Sequence, residues 1–216
     1  VTLLASRMET SSFWMQIVDQ LAGELNNRQI RLSYMPLDAL HYSGEELPAM
    51  LQPGQTDGII VLNIYNKEIL SFLAGLAVPK VFLDTVPGHT VADLQGDLVL
   101  LEGRGPIQAI TEEIFRSGRR RIGFIGDIQY AYTNLLRWEG YLDGIKGCGL
   151  LVERDICMTG SIPIKQDDYR ERIHEFLQSL PSLPDAFVCV SDFVAFLTMD
   201  LLDERRVKVP EDVMLS

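Results

Sequence analysis

The sequence predicts an α/β fold built on parallel β-sheet, and three observations carry the prediction. Short, largely apolar runs recur along the chain, as at 57–62 and 121–125. Longer segments with apolar residues every three or four positions separate them, the period of an amphipathic helix. The chain has 216 residues and is 47% hydrophobic, enough to bury one large core or two small ones. Strands that are apolar throughout need cover on both faces, and helices between consecutive strands supply it.

In the first half, residues 1–5 read as a strand. Ser11 or Ser12 is placed to cap a helix over 13–26, with Phe13, Ile17, Leu21 and Leu25 on one stripe. A second strand covers 31–35, a short helix 44–52 and a continuous apolar strand 57–62. Helix 67–76 leads into strand 80–83; 94–100 reads as a further strand, and 106–116 as a helix ended by Gly118. The alternation then repeats, with strand 121–125, helix 135–146 and an extended segment 154–158. Helix 169–180, strand 186–190, helix 193–204 and a strand within 209–215 complete it. One continuous sheet of at least eight strands and two smaller sheets divided near 117–121 both satisfy this order. Each end of the chain reads as an interrupted strand, so trimmed ends are expected.

Thirty acidic residues against nineteen basic ones give a formal charge of -11. A surface that acidic repels phosphate backbones, which makes this segment by itself a poor nucleic-acid binder; solubility accounts for the charge. Cys148, Cys157 and Cys189 are an odd set without a close-spaced pair. They support neither a disulfide framework nor a CxxC zinc site, and they fit a reducing, cytoplasmic setting. The longest apolar run is too short to span a bilayer, and no signal peptide is visible.

In open α/β sheets, ligands bind beyond the carboxyl ends of the strands. Those ends here are 6–14, 63–65, 84–85, 127–137 and 191–192, rich in hydroxyls, carboxylates, amides and aromatic rings, with one arginine. The inventory suits a polyol or a heterocycle: carboxylates accept from hydroxyls, an arginine fork donates two parallel bonds, and rings cover apolar faces. Arg137 sits beside the helix stripe Leu135, Trp138, Leu142, Ile145; on spacing alone a surface or salt-bridging arginine is the simpler reading. Gly140 and Gly144 lie close to it around the helix and permit tight packing. At Phe13-Trp14, Phe13 begins the buried stripe and Trp14 is the freer ring. Arg119, Arg120 and Arg121 follow a helix end and read as a solvated corner that also suits the helix dipole.

Nothing in the sequence pairs a nucleophile with a base. His41, His89 and His174 lie in different segments without metal-ligand spacing, and GxSxG, HExxH, GxGxxG and P-loop patterns are all missing. No catalytic residue, metal or cofactor is expected, which favours a binding module over an enzyme.

The run GRRRIGFIG from Gly118 to Gly126, followed by Arg137-x-x-Gly140-Tyr141, resembles the LacI/GalR family of bacterial transcription regulators. The ligand domains of that family often read G-H-R-R-I-x-F-I-G and then R-x-x-G with an aromatic residue. Further matches come in order: Asp57-Gly-Ile-Ile, Val78-Pro-Lys-Val-Phe-Leu-Asp84, Pro184-Asp-Ala-Phe-Val-Cys-Val-Ser-Asp192 and Val209-Pro-Glu-Asp-Val213. The resemblance implies two Rossmann-like lobes with parallel sheets, periplasmic-binding-protein-like of type I. Residues 1–118 would form the N-terminal lobe and 119–216 an incomplete C-terminal lobe, its last part missing. It also implies a small-molecule effector, a sugar or related polyol, held between the lobes. Arg137 matches the clamping arginine and Thr133 a hydroxyl that often contacts effector. Phe13 and Trp14 match the loop and helix start facing the ligand. Ser191 and Asp192 match an Asn-Asp pair, and Glu102 stands where an aspartate is usual. Departures are Arg119 for a histidine, Glu102-Gly103 for Asp-Asn, Pro106 for a small residue and Ser191 for Asn. A cytoplasmic homodimer is implied, with operator DNA bound only through an N-terminal helix-turn-helix domain absent from this sequence, and no membrane association. The rival readings are a sugar-binding protein of a transport system and an enzyme of the same two-lobed fold.

Overall fold

The chain divides into two compact units, Val1–Leu101 and Glu102–Ser216. The computed structural model describes residues 1–6, 12–37, 51, 54–162 and 166–216. Ser11, His41 and all of the expected helix 44–52 except Leu51 lie outside the described residues.

In the first unit, strands β1 (Thr2–Ala5), β2 (Ser33–Pro36), β3 (Ile59–Leu62), β4 (Lys80–Leu83) and β5 (Asp97–Val99) form one sheet in the order β2-β1-β3-β4-β5. Every pairing is parallel. Successive side chains of a strand point to opposite faces, so an apolar run feeds two cores at once. Leu3 and Ala5 of β1 and Leu62 of β3 pack on one face with Trp14, Ile17, Val18 and Leu21 of helix α1 (Ser12–Asn27). Leu4, Ile59, Val61 and Phe82 pack on the other with Ile69, Leu70 and Leu73 of helix α2 (Lys67–Ala74). Asn66 starts α2 by accepting the Ile69 N–H at 3.0 Å, and Glu68 complements the helix dipole in its first turn.

Two details differ from the sequence expectation. The buried stripe of α1 is led by Trp14, while Phe13 is 43% exposed, the reverse of the expected order. Trp14, Ile17, Val18 and Leu21 keep the helical period, so the stripe is rotated by one residue at its start. The segment 94–100 is not one strand. A short helix α3 (Val91–Leu94) precedes β5, because Asp93 accepts from both the Thr90 N–H (2.8 Å) and hydroxyl (2.7 Å) and closes a helical turn there.

In the second unit, β6 (Ile122–Ile125), β7 (Cys157–Met158), β8 (Ala186–Cys189) and β9 (Met214–Leu215) form a parallel sheet in the order β7-β6-β8-β9. Around it lie α4 (Arg104–Arg116), α5 (Tyr132–Gly147), α6 (Gln166–Ser179) and α7 (Asp192–Glu204). The extended segment expected at 154–158 is a 3-10 turn, Arg154–Ile156, running into the two residues of β7. Phe124, Trp138 and Tyr141 meet at the centre, with ring centroids 5.1–5.4 Å apart. The Tyr141 hydroxyl donates to the Ile122 carbonyl at 2.7 Å, and burial pushes its pKa far up.

Helix α4 lies in the second compact unit, Glu102–Ser216. It packs on a seam of glycines on α5. A Cβ at Gly140 would stand 2.1 Å from the Arg104 carbonyl oxygen, and one at Gly144 2.6 Å from Thr111 Cβ. Without those side chains the two helices touch backbone to backbone, which is the tight packing expected of Gly140 and Gly144.

The arginine triplet lies at the surface, with Arg120 exposed, and is also extensively bonded. Arg119 donates to the carbonyls of Pro210 (2.7 Å) and Glu211 (3.2 Å). Arg120 donates to Phe115 O at 2.7 Å and lies over the Phe115 ring. Arg121 pairs with Glu153 at 2.9 Å and donates to Ser182 O and Leu183 O. Asp185 accepts the backbone N–H groups of Arg120 (2.8 Å) and Arg121 (2.9 Å). The triplet therefore ties the starts of β6, β8 and β9 together at the amino end of the sheet.

Candidate functional site

The carboxyl ends of β6 and β8 bring together most of the predicted residues. Helix α5 starts beyond β6, with Thr133 buried and Arg137 one turn later and partly buried. The Arg137 guanidinium donates through Nη1 to the Val190 carbonyl at 2.5 Å, just beyond β8. Ser191 follows as the N-cap of α7, its hydroxyl accepting the Val194 N–H at 3.4 Å, and exposed Asp192 opens the helix. One hydrogen bond thus joins the Thr133–Arg137 face of α5 to the Ser191–Asp192 turn. The contact is a charge-assisted hydrogen bond from the guanidinium to a neutral carbonyl.

Glu102 is exposed, and its carboxylate accepts the Gly105 N–H at 2.7 Å, capping α4. Asp127, at the end of β6, is structural. Its carboxylate is buried and accepts from the N–H groups of Gln129 (2.8 Å), Tyr130 (3.1 Å) and Ile162 (2.8 Å), folding two loops over the strand end. The Asp127 N–H in turn donates to the Tyr169 hydroxyl at 3.1 Å. Burial pushes the Tyr169 pKa up to about 12, so it stays a neutral phenol. Its ring meets Phe193 edge to face at 5.9 Å.

Phe13 and Trp14 stand in the first unit, at the start of α1, with ring centroids 5.0 Å apart and planes at 70°. The other strand ends of that unit are polar and conformationally unusual. Asn63, after β3, and Asp84, after β4, both take left-handed backbone, with φ of 53° and 65°. Asn63 donates through Nδ2 to Ser6 O at 2.6 Å, Tyr65 donates to Asp84 Oδ2 at 3.3 Å, and the Thr85 N–H donates to Asp84 Oδ1 at 2.8 Å. The Thr85 hydroxyl is fully buried without a hydrogen-bond partner among the described residues. Sequence reading ranked Asn63 and Asp84 only as members of strand ends. The left-handed tolerance of Asn and Asp directly after an apolar run was the available signal.

Among the described residues, no group of three or more His, Cys, Asp or Glu could hold a metal ion, and no helix is long and apolar enough to cross a membrane.

The chain thus has parallel sheets in two units, with polar groups collected at strand ends. Residues 111–216 match the family described as periplasmic binding protein-like domain, and the fold is that of solved LacI-family transcriptional regulators. The chain is 27% identical over 168 residues to the HTH-type transcriptional repressor PurR of Pasteurella multocida (strain Pm70), covering 77% of this chain and 48% of the relative. It superposes with a TM-score of 0.82 on the transcriptional regulator CelR in complex with cellobiose, at 21% identity, covering 99% of this chain and 66% of that one. A LacI family transcriptional regulator from Mycobacterium smegmatis gives a TM-score of 0.78 at 20% identity, covering 100% of this chain and 77% of that one. The resemblance to LacI/GalR regulators seen in the motifs therefore holds. The chain spans about half the length of the curated relatives it matches.

Proposed function

We propose that this chain is the effector-binding core of a cytoplasmic, dimeric transcriptional regulator, and that a sugar or related polyol is its effector. The observation that carries the reading is the Arg137 guanidinium. It is oriented by the Val190 carbonyl beside Thr133, Ser191 and Asp192, at the strand ends where α/β folds take ligands. Arg137 clamps a pair of hydroxyls, Thr133 and Ser191 add hydroxyl contacts, and the Asp192 and Glu102 carboxylates accept from ligand hydroxyls. Phe13 and Trp14 supply aromatic surface for the apolar face of a pyranose ring. The cellobiose named with the CelR structure supports this ligand class. The repressors among the relatives support a regulatory output, in which effector binding alters operator affinity through a separate DNA-binding domain. No residue performs chemistry in this scheme. Calorimetry with a panel of mono- and disaccharides, cellobiose included, and of purine bases tests it. A sugar that binds wild type and loses about ten- to hundredfold affinity to Arg137→Ala is the expected result. Equal affinity in the variant removes the assigned site, and binding of purines alone removes the ligand class.

A further inference from the structure

Gly103 is the second residue of the second unit, where the chain arrives from the first, and it is buried. Its backbone has φ -116° and ψ -29°, a conformation open to any residue, so no turn requires glycine there. Space does. A Cβ at this position would stand 3.1 Å from Arg137 Cγ, 3.2 Å from the Thr133 carbonyl oxygen and 3.5 Å from Leu136 Cβ. The peptide that enters the second unit thus lies directly under the first turns of α5. It touches the stem of the same arginine whose head is fixed on Val190. On its other side Glu102 caps α4 through the Gly105 N–H, so the segment is held at both ends of a short stretch.

We infer that Gly103 is a positioning residue that couples the setting of Arg137 to the segment entering the second unit. The inference rests on the proposed role of Arg137 in effector binding for its meaning, though not for its test. Arg137 is a two-ended lever here: its guanidinium faces the strand ends and its Cγ lies against the incoming chain. A ligand that shifts the guanidinium shifts the stem, and Gly103 has no side chain to cushion that movement. Closely packed interiors transmit such displacements because they do not compress.

The test is a double-mutant cycle read by urea unfolding of the intact chain, without any ligand. Gly103→Ala is expected to lower the folding equilibrium constant about tenfold, by forcing Arg137 or the Thr133 carbonyl to give way. In an Arg137→Ala background the same change is expected to cost only about threefold, because the stem contact is gone and the Thr133 carbonyl contact remains. Arg137→Lys keeps the stem and removes the fork, so the full cost of Gly103→Ala is expected to return. Paired with Asp192→Ala, the cost is expected to be unchanged. Equal costs of Gly103→Ala in the Arg137→Ala and Arg137→Lys backgrounds overturn the inference. If Gly103→Ala does not fold, amide hydrogen exchange at Gly105 decides instead. It is expected to accelerate about tenfold in Arg137→Ala and to stay within about twofold of wild type in Arg137→Lys. No difference between those two variants overturns the inference. Because no ligand enters, failure here leaves the effector reading standing, and failure of the calorimetry leaves the coupling standing.

Discussion

The guanidinium of Arg137 is planar and bonds at a defined angle to the Val190 carbonyl, so its remaining N–H groups project in fixed directions. An ammonium on a flexible stem does not reproduce that geometry. Arg137→Lys is therefore expected to weaken binding of a calorimetrically identified effector about tenfold while leaving the unfolding midpoint near wild type. Asp185 carries a different kind of prediction. The backbone N–H groups of Arg121 and Arg120 bond to its carboxylate and hold its pKa below the usual range. A depressed carboxylate pKa adds stability that is present above the unfolded value, about 4, and is lost as pH falls through the folded value. Asp185→Asn is thus expected to be destabilising at pH 7 and less so as pH falls through the folded value, as urea midpoints at pH 7 and at acid pH will show. A constant difference at both pH values would contradict that assignment. Arg137 was legible as a candidate from its motif, yet its partner was not. A backbone carbonyl fifty-three residues away leaves no mark in the sequence.

Among the elements, the seam of α4 on α5 has the sharpest consequence. Gly140 and Gly144 leave room for backbone contact, and Gly140→Ala places a methyl group inside the Arg104 peptide. We expect a loss of about 3 kcal/mol, at the upper end of overpacking costs, measured by urea unfolding. Gly160→Ala, where nothing stands within 4 Å, is the matching control and is expected to stay within about 0.5 kcal/mol. Strands and long helices were readable because period and apolarity are local properties. The exceptions have local or tertiary causes. The Thr90–Asp93 contacts close the turn of α3, which takes Leu94 from the start of the expected strand and leaves β5 to begin at Asp97. The partners of the arginine triplet, Pro210 and Ser182 among them, come from loops far along the chain, so these contacts at the surface left no local mark in the sequence. The cap that Glu102 gives α4 through the Gly105 N–H is a further local contact that the family resemblance did not announce.

For the whole molecule, the division at Leu101–Glu102 decides which segments fold independently. A polypeptide of residues 102–216 keeps α4 on the glycine face of α5, whereas 119–216 exposes that face. The first is expected to unfold cooperatively on heating and the second to show no cooperative transition, by circular dichroism. A cooperative transition in 119–216 would place the boundary back at 118. The alternation of strand, helix and strand was visible from the sequence at this scale, but the packing of α4 on α5 depends on a side-chain-free seam. The same partition has a spectroscopic consequence. The chain has two tryptophans, Trp14 in the first unit and Trp138 in the second. Trp138 is 4% exposed and stacked on Tyr141, while Trp14 is half-buried beside Phe13. Each unit therefore contains its own intrinsic fluorophore, one step along the chain from a residue assigned to the effector. Trp14→Phe leaves an emission that reports only on the surroundings of Arg137, and Trp138→Phe one that reports only on those of Phe13, without an added dye.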